Sequence, residues 1–96
     1  MLTLAQFTPL LGDAFELHVD AAASWPVHLV EADALGGPAD AARRPFSLVF
    51  EGPSQPPLPQ AIYGLAHPAL GPAPVDIFLV PVARSPSGMR YEAVFN

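Results

Sequence analysis

The sequence predicts an all-β domain of about six short antiparallel strands in a meander. These form a small barrel or a strongly coiled sheet, with a short N-terminal helix in front. Three observations carry this. Short apolar segments are separated at close intervals by Gly, Pro and Asp punctuation. Several of those segments alternate apolar and polar residues with the period of a strand. The chain has 96 residues, 51% hydrophobic and only 14% charged, which suits one folded unit and not a disordered one. We therefore take residues 1–96 as a single all-β domain.

At the start, Thr3 can cap a short helical turn that places Leu4 and Phe7 on one face, and Pro9 and Gly12 end it. In AFELHVD (14–20), Phe15, Leu17 and Val19 alternate with Glu16, His18 and Asp20. WPVHLVEA (25–32) continues the alternation with Trp25, Val27 and Leu29. Pairing Leu17 with Leu29 and Val19 with Val27 makes the two apolar faces coincide, and it sets His18 opposite His28. The same register turns Glu31 inward near Phe15, which suits a carboxylate only if the strand twists out or ends at a barrel rim.

A loop, 35–44, leads to PFSLVFEG (45–52), where Phe46, Leu48 and Phe50 share a face. The stretch EGPSQPPLPQ then sets four prolines between 53 and 59. Because QAIYGLAH (60–67) resumes the strand pattern, this stretch is a rigid loop within one domain. As a linker it would leave two halves too small to bury a core.

The last strands are VDIFLVPVA (75–83) and MRYEAVFN (89–96), joined by the tight turn SPSG. Setting Val82 opposite Tyr91 aligns Val80 with Ala93 and Phe78 with Phe95, which leaves Ile77 and Leu79 pointing outward. A strand apolar on both faces is covered by a second layer or forms an interface. Either the N-terminal helix or another chain can supply that cover. Pro81 points to an edge position or a bulge. On this reading Leu79→Asp spares the fold and destroys association.

The charge balance excludes several functions. Net charge is −5, with four arginines and no lysine, so phosphate backbones and anionic lipid are repelled, and the pair Arg43–Arg44 is too small to anchor a duplex. No apolar run spans a bilayer, and the N-terminus lacks the basic region of a signal peptide. We expect a cytoplasmic protein with no membrane association. With no cysteine there is neither a disulfide framework nor a thiol nucleophile.

No serine lies in a nucleophile motif, the nine carboxylates are scattered, and no phosphate-cradling glycine motif is present, so the chain is expected not to be an enzyme. His18 and His28, with Glu16 and Asp20 on the same face, are weak candidate metal ligands. Two solvated histidines are the plainer reading, and no cofactor is expected. His67, before Pro68 at a strand end, is expected to hydrogen-bond in the turn. The prolines Pro53, Pro56, Pro57 and Pro59 form overlapping P-x-x-P patterns, but no basic residue flanks them and the loop is pinned at both ends. They read as part of a contact surface more than as bait for a proline-reading domain.

The segments FTPLLGDAFEL, RPFSLVFEGP, LPQAIYGLAHPALG and FLVPVARSPSGMRYEAVFN together resemble an uncharacterised family of small bacterial all-β domains, a domain of unknown function. The resemblance covers nearly the whole chain and is most specific in GP…LPQ…Y…HP.LG and in YEAVFN. It implies a genomic setting near tail-collar or microcystin-dependent proteins, which resemble phage tail fibres, and hence an accessory or assembly role for a collar or fibre protein. It brings no catalytic residues.

The expected function is therefore a non-enzymatic protein-interaction module. It would bind a collar- or fibre-like protein, or itself, through Ile77, Leu79 and the proline loop. It would fold in the cytoplasm and then be open to incorporation into a phage-tail-like or surface assembly. The alternative is a barrel binding a small ligand or metal in its interior or at His18 and His28.

Overall fold

The computed structural model describes residues 2–36, 44–54 and 57–96. Helix α1 (Leu4–Phe7) starts after Thr3, whose backbone N–H donates to Gln6 Oε1 at 2.7 Å. A 3-10 turn at Thr8–Leu10 follows, and Gly12 takes a positive φ of 88° to turn the chain into the first strand. The strands are β1 (Ala14–His18), β2 (Ser24–Ala34), β3 (Phe46–Gly52), β4 (Ala61–Ala66), β5 (Val75–Ser85) and β6 (Gly88–Phe95).

All pairings are antiparallel, and the six strands close into a barrel in the order β1-β2-β3-β6-β5-β4. The expected meander holds within β1-β2-β3 and within β4-β5-β6, but not between them. β3 and β4 stand on opposite walls of the ring, and the proline-rich loop joins them across one mouth. An extended segment of that length reaches roughly 25 Å at about 3.1 Å per residue, ample for a barrel whose facing walls are about 10 Å apart. The loop drops Leu58, 8% exposed, into the mouth. Its backbone is held by two tyrosines: the Leu58 N–H donates to Tyr91 Oη at 2.8 Å, and Tyr63 Oη donates to the Pro59 carbonyl at 2.5 Å. Burial, and secondarily the neighbouring Tyr91, pushes the Tyr63 hydroxyl above its ordinary pKa. The hydroxyl therefore stays a donor. The other mouth is plugged by Phe7 of α1, fully buried among Phe15, Phe46 and Phe95.

Pairing geometry corrects two expected registers and explains how Glu31 leaves the interior. In the first hairpin Leu17 faces Trp25 and Phe15 faces Val27, so the apolar faces coincide as expected but at another register. His18 then lies opposite Ser24, and His28 opposite Ala14. The cause is the turn. Asp20 Oδ1 accepts the Ala22 N–H at 2.7 Å and the Val19 N–H bonds the Ala23 carbonyl at 3.1 Å, closing the hairpin before Ser24.

For Glu31 the expected outward twist is a bulge: the register between β2 and β3 slips between Leu29 and Glu31, which turns Glu31 out to solvent.

The second correction concerns β5. Near its turn Ser85 pairs with Gly88 and Ala83 with Arg90, the expected register. A bulge between Pro81 and Ala83 then adds one residue, so Pro81 faces Tyr91 and Val80 faces Glu92. One extra residue inverts the faces of a strand. Ile77 and Leu79, expected outside, are core residues at 2% and 0% exposure, and Phe78 points out in their place. Pro81 marks the bulge and not an edge, since β5 is paired on both sides. Closure also removes the exposed sheet edge that a partner could have extended.

The last hairpin allows no side chain at position 88. A Cβ there would sit 2.1 Å from the Gly52 carbonyl oxygen, so β3 and β6 approach through two glycines.

Candidate interaction surface

Inside the barrel, Leu17, Leu29, Leu48, Phe50 and Leu79 are fully buried and fill the space between the walls. Among the described residues the tyrosine hydroxyls of the core, Tyr63 and Tyr91, are bonded to the proline-loop backbone, so we look for binding chemistry on the outer surface.

The three histidines occupy separate places. His18 is half-exposed, with Nε2 3.4 Å from Glu16 of the same strand, a solvent-screened pair. His28 is exposed on β2. The expected His18–His28 opposition is absent because of the hairpin register. No group of three or more His, Cys, Asp or Glu placed to hold a metal occurs among the described residues.

His67 does bond in its turn, as expected. Its Nδ1 accepts the Ala69 N–H at 3.0 Å, which caps the 3-10 turn Pro68–Leu70, and its Nε2 faces Asp13 Oδ2 at 3.1 Å. With Nδ1 accepting, the hydrogen-bond pattern assigns the neutral ring's proton to Nε2. The ring also packs on Phe15 with centroids 4.6 Å apart. Both nitrogens thus have partners, one in the turn and one on Asp13.

A groove of about 580 Å³ runs beside His67 along the outer side of β1, lined by Glu16, Ser24, Trp25, Pro26 and Pro72 among others. It is wide and open, and no converging set of polar groups makes it a ligand site.

Among the described residues the densest polar cluster is centred on Glu51. Ser85 Oγ lies 2.8 Å from its Oε2, Ser87 Oγ donates to Oε1 at 2.9 Å, and Arg90 Nε donates to Oε2 at 3.3 Å. Arg90 also reaches Glu31 at 3.6 Å. The Ser85 hydroxyl, then that of Ser87, hold the Glu51 carboxyl below its ordinary pKa of 4.5, with Arg90 adding to them against partial desolvation. These contacts tie the β5–β6 turn to β3, which is a structural task.

A depressed folded-state pKa gives stability that is complete above the unfolded value and is lost as pH falls through the folded one. Glu51→Gln is therefore expected to be less stable than the parent at pH 7. Thermal melts down a pH series should show that gap closing as pH falls through 4.5 and onward. A gap independent of pH would assign the effect to shape instead of charge.

The outer face of β4, β5 and β6 is different in kind. Ile62 and Phe78 face each other across the β4–β5 ladder and are 67% and 50% exposed. Val80, half-buried, follows Phe78 on the same face, and Val94 of β6, 48% exposed, lies diagonally from it. Together they make a contiguous apolar stripe across three strands. An exposed Phe or Ile standing alone is ordinary; a directly opposed pair extended by two valines is not.

Of the residues expected to contact a partner, Ile77 and Leu79 lie beneath this stripe in the core. Pro53, Pro57 and Pro59 are exposed on the loop over the barrel mouth, and Pro56 lies outside the described residues. With Leu58 buried, the loop cannot present a free polyproline helix without unplugging the barrel. Ile62, Phe78, Val80 and Val94 were missed, although the sequence shows β5 to be apolar on both faces. The bulge at Pro81 decides which of the two faces is outside.

The class is thus a small closed antiparallel barrel with an apolar stripe on its outer face. Residues 2–95 match the family described as Domain of unknown function (DUF6916), and the chain belongs to that family. No curated protein and no solved structure matches it. Among the described residues no helix is long and apolar enough to cross a membrane.

Proposed function

We propose that this protein is a non-enzymatic protein-interaction module that binds through the outer face of β4, β5 and β6. The observation that carries the reading is the opposed pair Ile62 and Phe78, both at least half exposed in the middle of a closed barrel. A side chain this large costs free energy in water and regains it in an interface, where aromatic anchors dominate binding. Closure leaves no strand edge, so recognition is by face and not by β-strand addition.

The family resemblance names the first partner to try: a collar- or fibre-like protein of a phage-tail-like assembly, for which this chain would be an accessory or assembly factor. The chain would fold in the cytoplasm before joining such an assembly. The alternative of a ligand-binding barrel finds no support in a side-chain-filled interior or in separated histidines.

The test is Phe78→Asp. The variant should keep the native fold, because position 78 faces solvent. It should bind a collar- or fibre-like protein from the same host at least about tenfold more weakly, since an interface anchor contributes roughly 2 kcal/mol or more. Calorimetry on the purified pair measures this, and unchanged affinity would reject the stripe as the binding surface.

A further inference from the structure

We infer that the stripe is built for a different protein whose apolar centre is ringed by Arg or Lys, and not for a second copy of this chain. The inference rests on the interaction reading above and adds the partner's chemistry. The charges bordering the stripe are of one sign. Asp76 precedes Phe78 by two residues on the same face of β5 and is exposed. Its cross-strand neighbour is Gly64, which has no side chain to cover it. Glu92 faces Val80 across the β5–β6 ladder and precedes Val94 by two on β6. Among the described residues neither carboxylate has a basic partner. Of the cations on these strands, Arg84 is exposed at the turn end of β5, four residues beyond Val80, and Arg90 is shared between Glu31 at 3.6 Å and Glu51 at 3.3 Å, leaving that trio with a negative balance.

Symmetry decides against self-pairing. A two-fold contact sets each residue of the patch against another residue of the same patch on the second copy, and the charged residues beside the stripe, Asp76 and Glu92, offer one another only carboxylates. Each chain also carries a net charge of −5 and no lysine that could offset this. Like charges across an interface raise its cost, whereas a basic rim on another protein meets both carboxylates favourably and speeds encounter.

The experiment is an amide-shift titration of the full chain with two capped peptides, RLFLR and ELFLE, together with sedimentation of the chain alone. RLFLR should shift the amides of Ile62, Phe78 and Val80. Its affinity should fall about fivefold when NaCl is raised from about 0.05 to about 0.5 M, as expected when screening shortens the reach of exposed charges. ELFLE should bind at least about tenfold more weakly, an order-of-magnitude expectation for reversing both peptide charges. The double variant Asp76→Asn, Glu92→Gln should retain the fold and lose the salt dependence.

Equal or tighter binding of ELFLE overturns the inference but leaves the stripe as an interaction surface. So does a dimer of the chain that Phe78→Asp abolishes. If neither peptide moves the stripe amides, the interaction reading itself falls, and this inference with it.

Discussion

Leu79→Asp is expected to unfold the domain, while Phe78→Asp, one residue away, leaves it folded. Leu79 is fully buried inside the barrel and Phe78 is 50% exposed outside it. Truncating a buried leucine alone costs roughly 2–5 kcal/mol. A carboxylate in its place adds the cost of an unpaired charge or of a protonated, unsatisfied acid. A domain of this size has roughly 5–15 kcal/mol of stability in total, so little or none remains. Far-UV circular dichroism and proton NMR dispersion of the two purified variants decide the matter. A folded Leu79→Asp protein would mean that the β5 bulge is misplaced and that the faces are as the simple alternation gives them.

Phe7→Ala is the second large effect, and it probes a contact far away in sequence. Phe7 is fully buried, and its ring centroid lies 6.4, 6.2 and 6.3 Å from those of Phe15, Phe46 and Phe95. Phe46 and Phe95 are themselves stacked at 4.6 Å, so the cavity would open beside a rigid pair that cannot easily collapse into it. The expected loss is about 3–5 kcal/mol. For a domain of this length that corresponds to a fall in melting temperature of roughly 12–40 °C. Calorimetric melts of Phe7→Ala and Phe7→Leu should show the leucine recovering much of the loss. A near-parental melt for Phe7→Ala would show that the N-terminal helix is an appendage and not a plug.

The expected strands all appear, and their reading needed only local signals. Alternation in FELHV and in FSLVF sets which residues face in, while the Pro and Gly clusters set where the chain turns. Thr3 and the Leu4–Phe7 spacing were enough for the short helix. The proline-rich segment could be recognised as a loop from the strands on either side. Its role as a strap was not legible, because that depends on β3 and β4 ending on opposite walls. The Tyr63 and Tyr91 hydroxyls that hold it come from strands that follow it in the chain.

The error on β5 has a single physical origin. A strand's two faces differ by a single residue of register, so one bulge inverts every assignment beyond it. The turn SPSG gave the right pairing at Ser85 and Gly88, and the extra residue beside Pro81 reversed Ile77, Phe78 and Leu79. The proline did signal a bulge; alternation alone could not say on which side of it the parity changes. The same effect at Val30 released Glu31 from the interior. In the first hairpin an Asp20 side-chain turn moved the register by an even number of residues, preserving the faces and separating His18 from His28.

By itself, then, the sequence determined the all-β class, the strands, the loop, the acidic surface and the presence of one strand with two apolar faces. These follow from composition and from periodicities within a few residues. Only the tertiary structure decided the ring order, the burial of Phe7 and Leu58 at the two mouths and which face of β5 meets solvent. Those depend on bulges and on pairings between distant strands, whose energies come from contacts that no local pattern records.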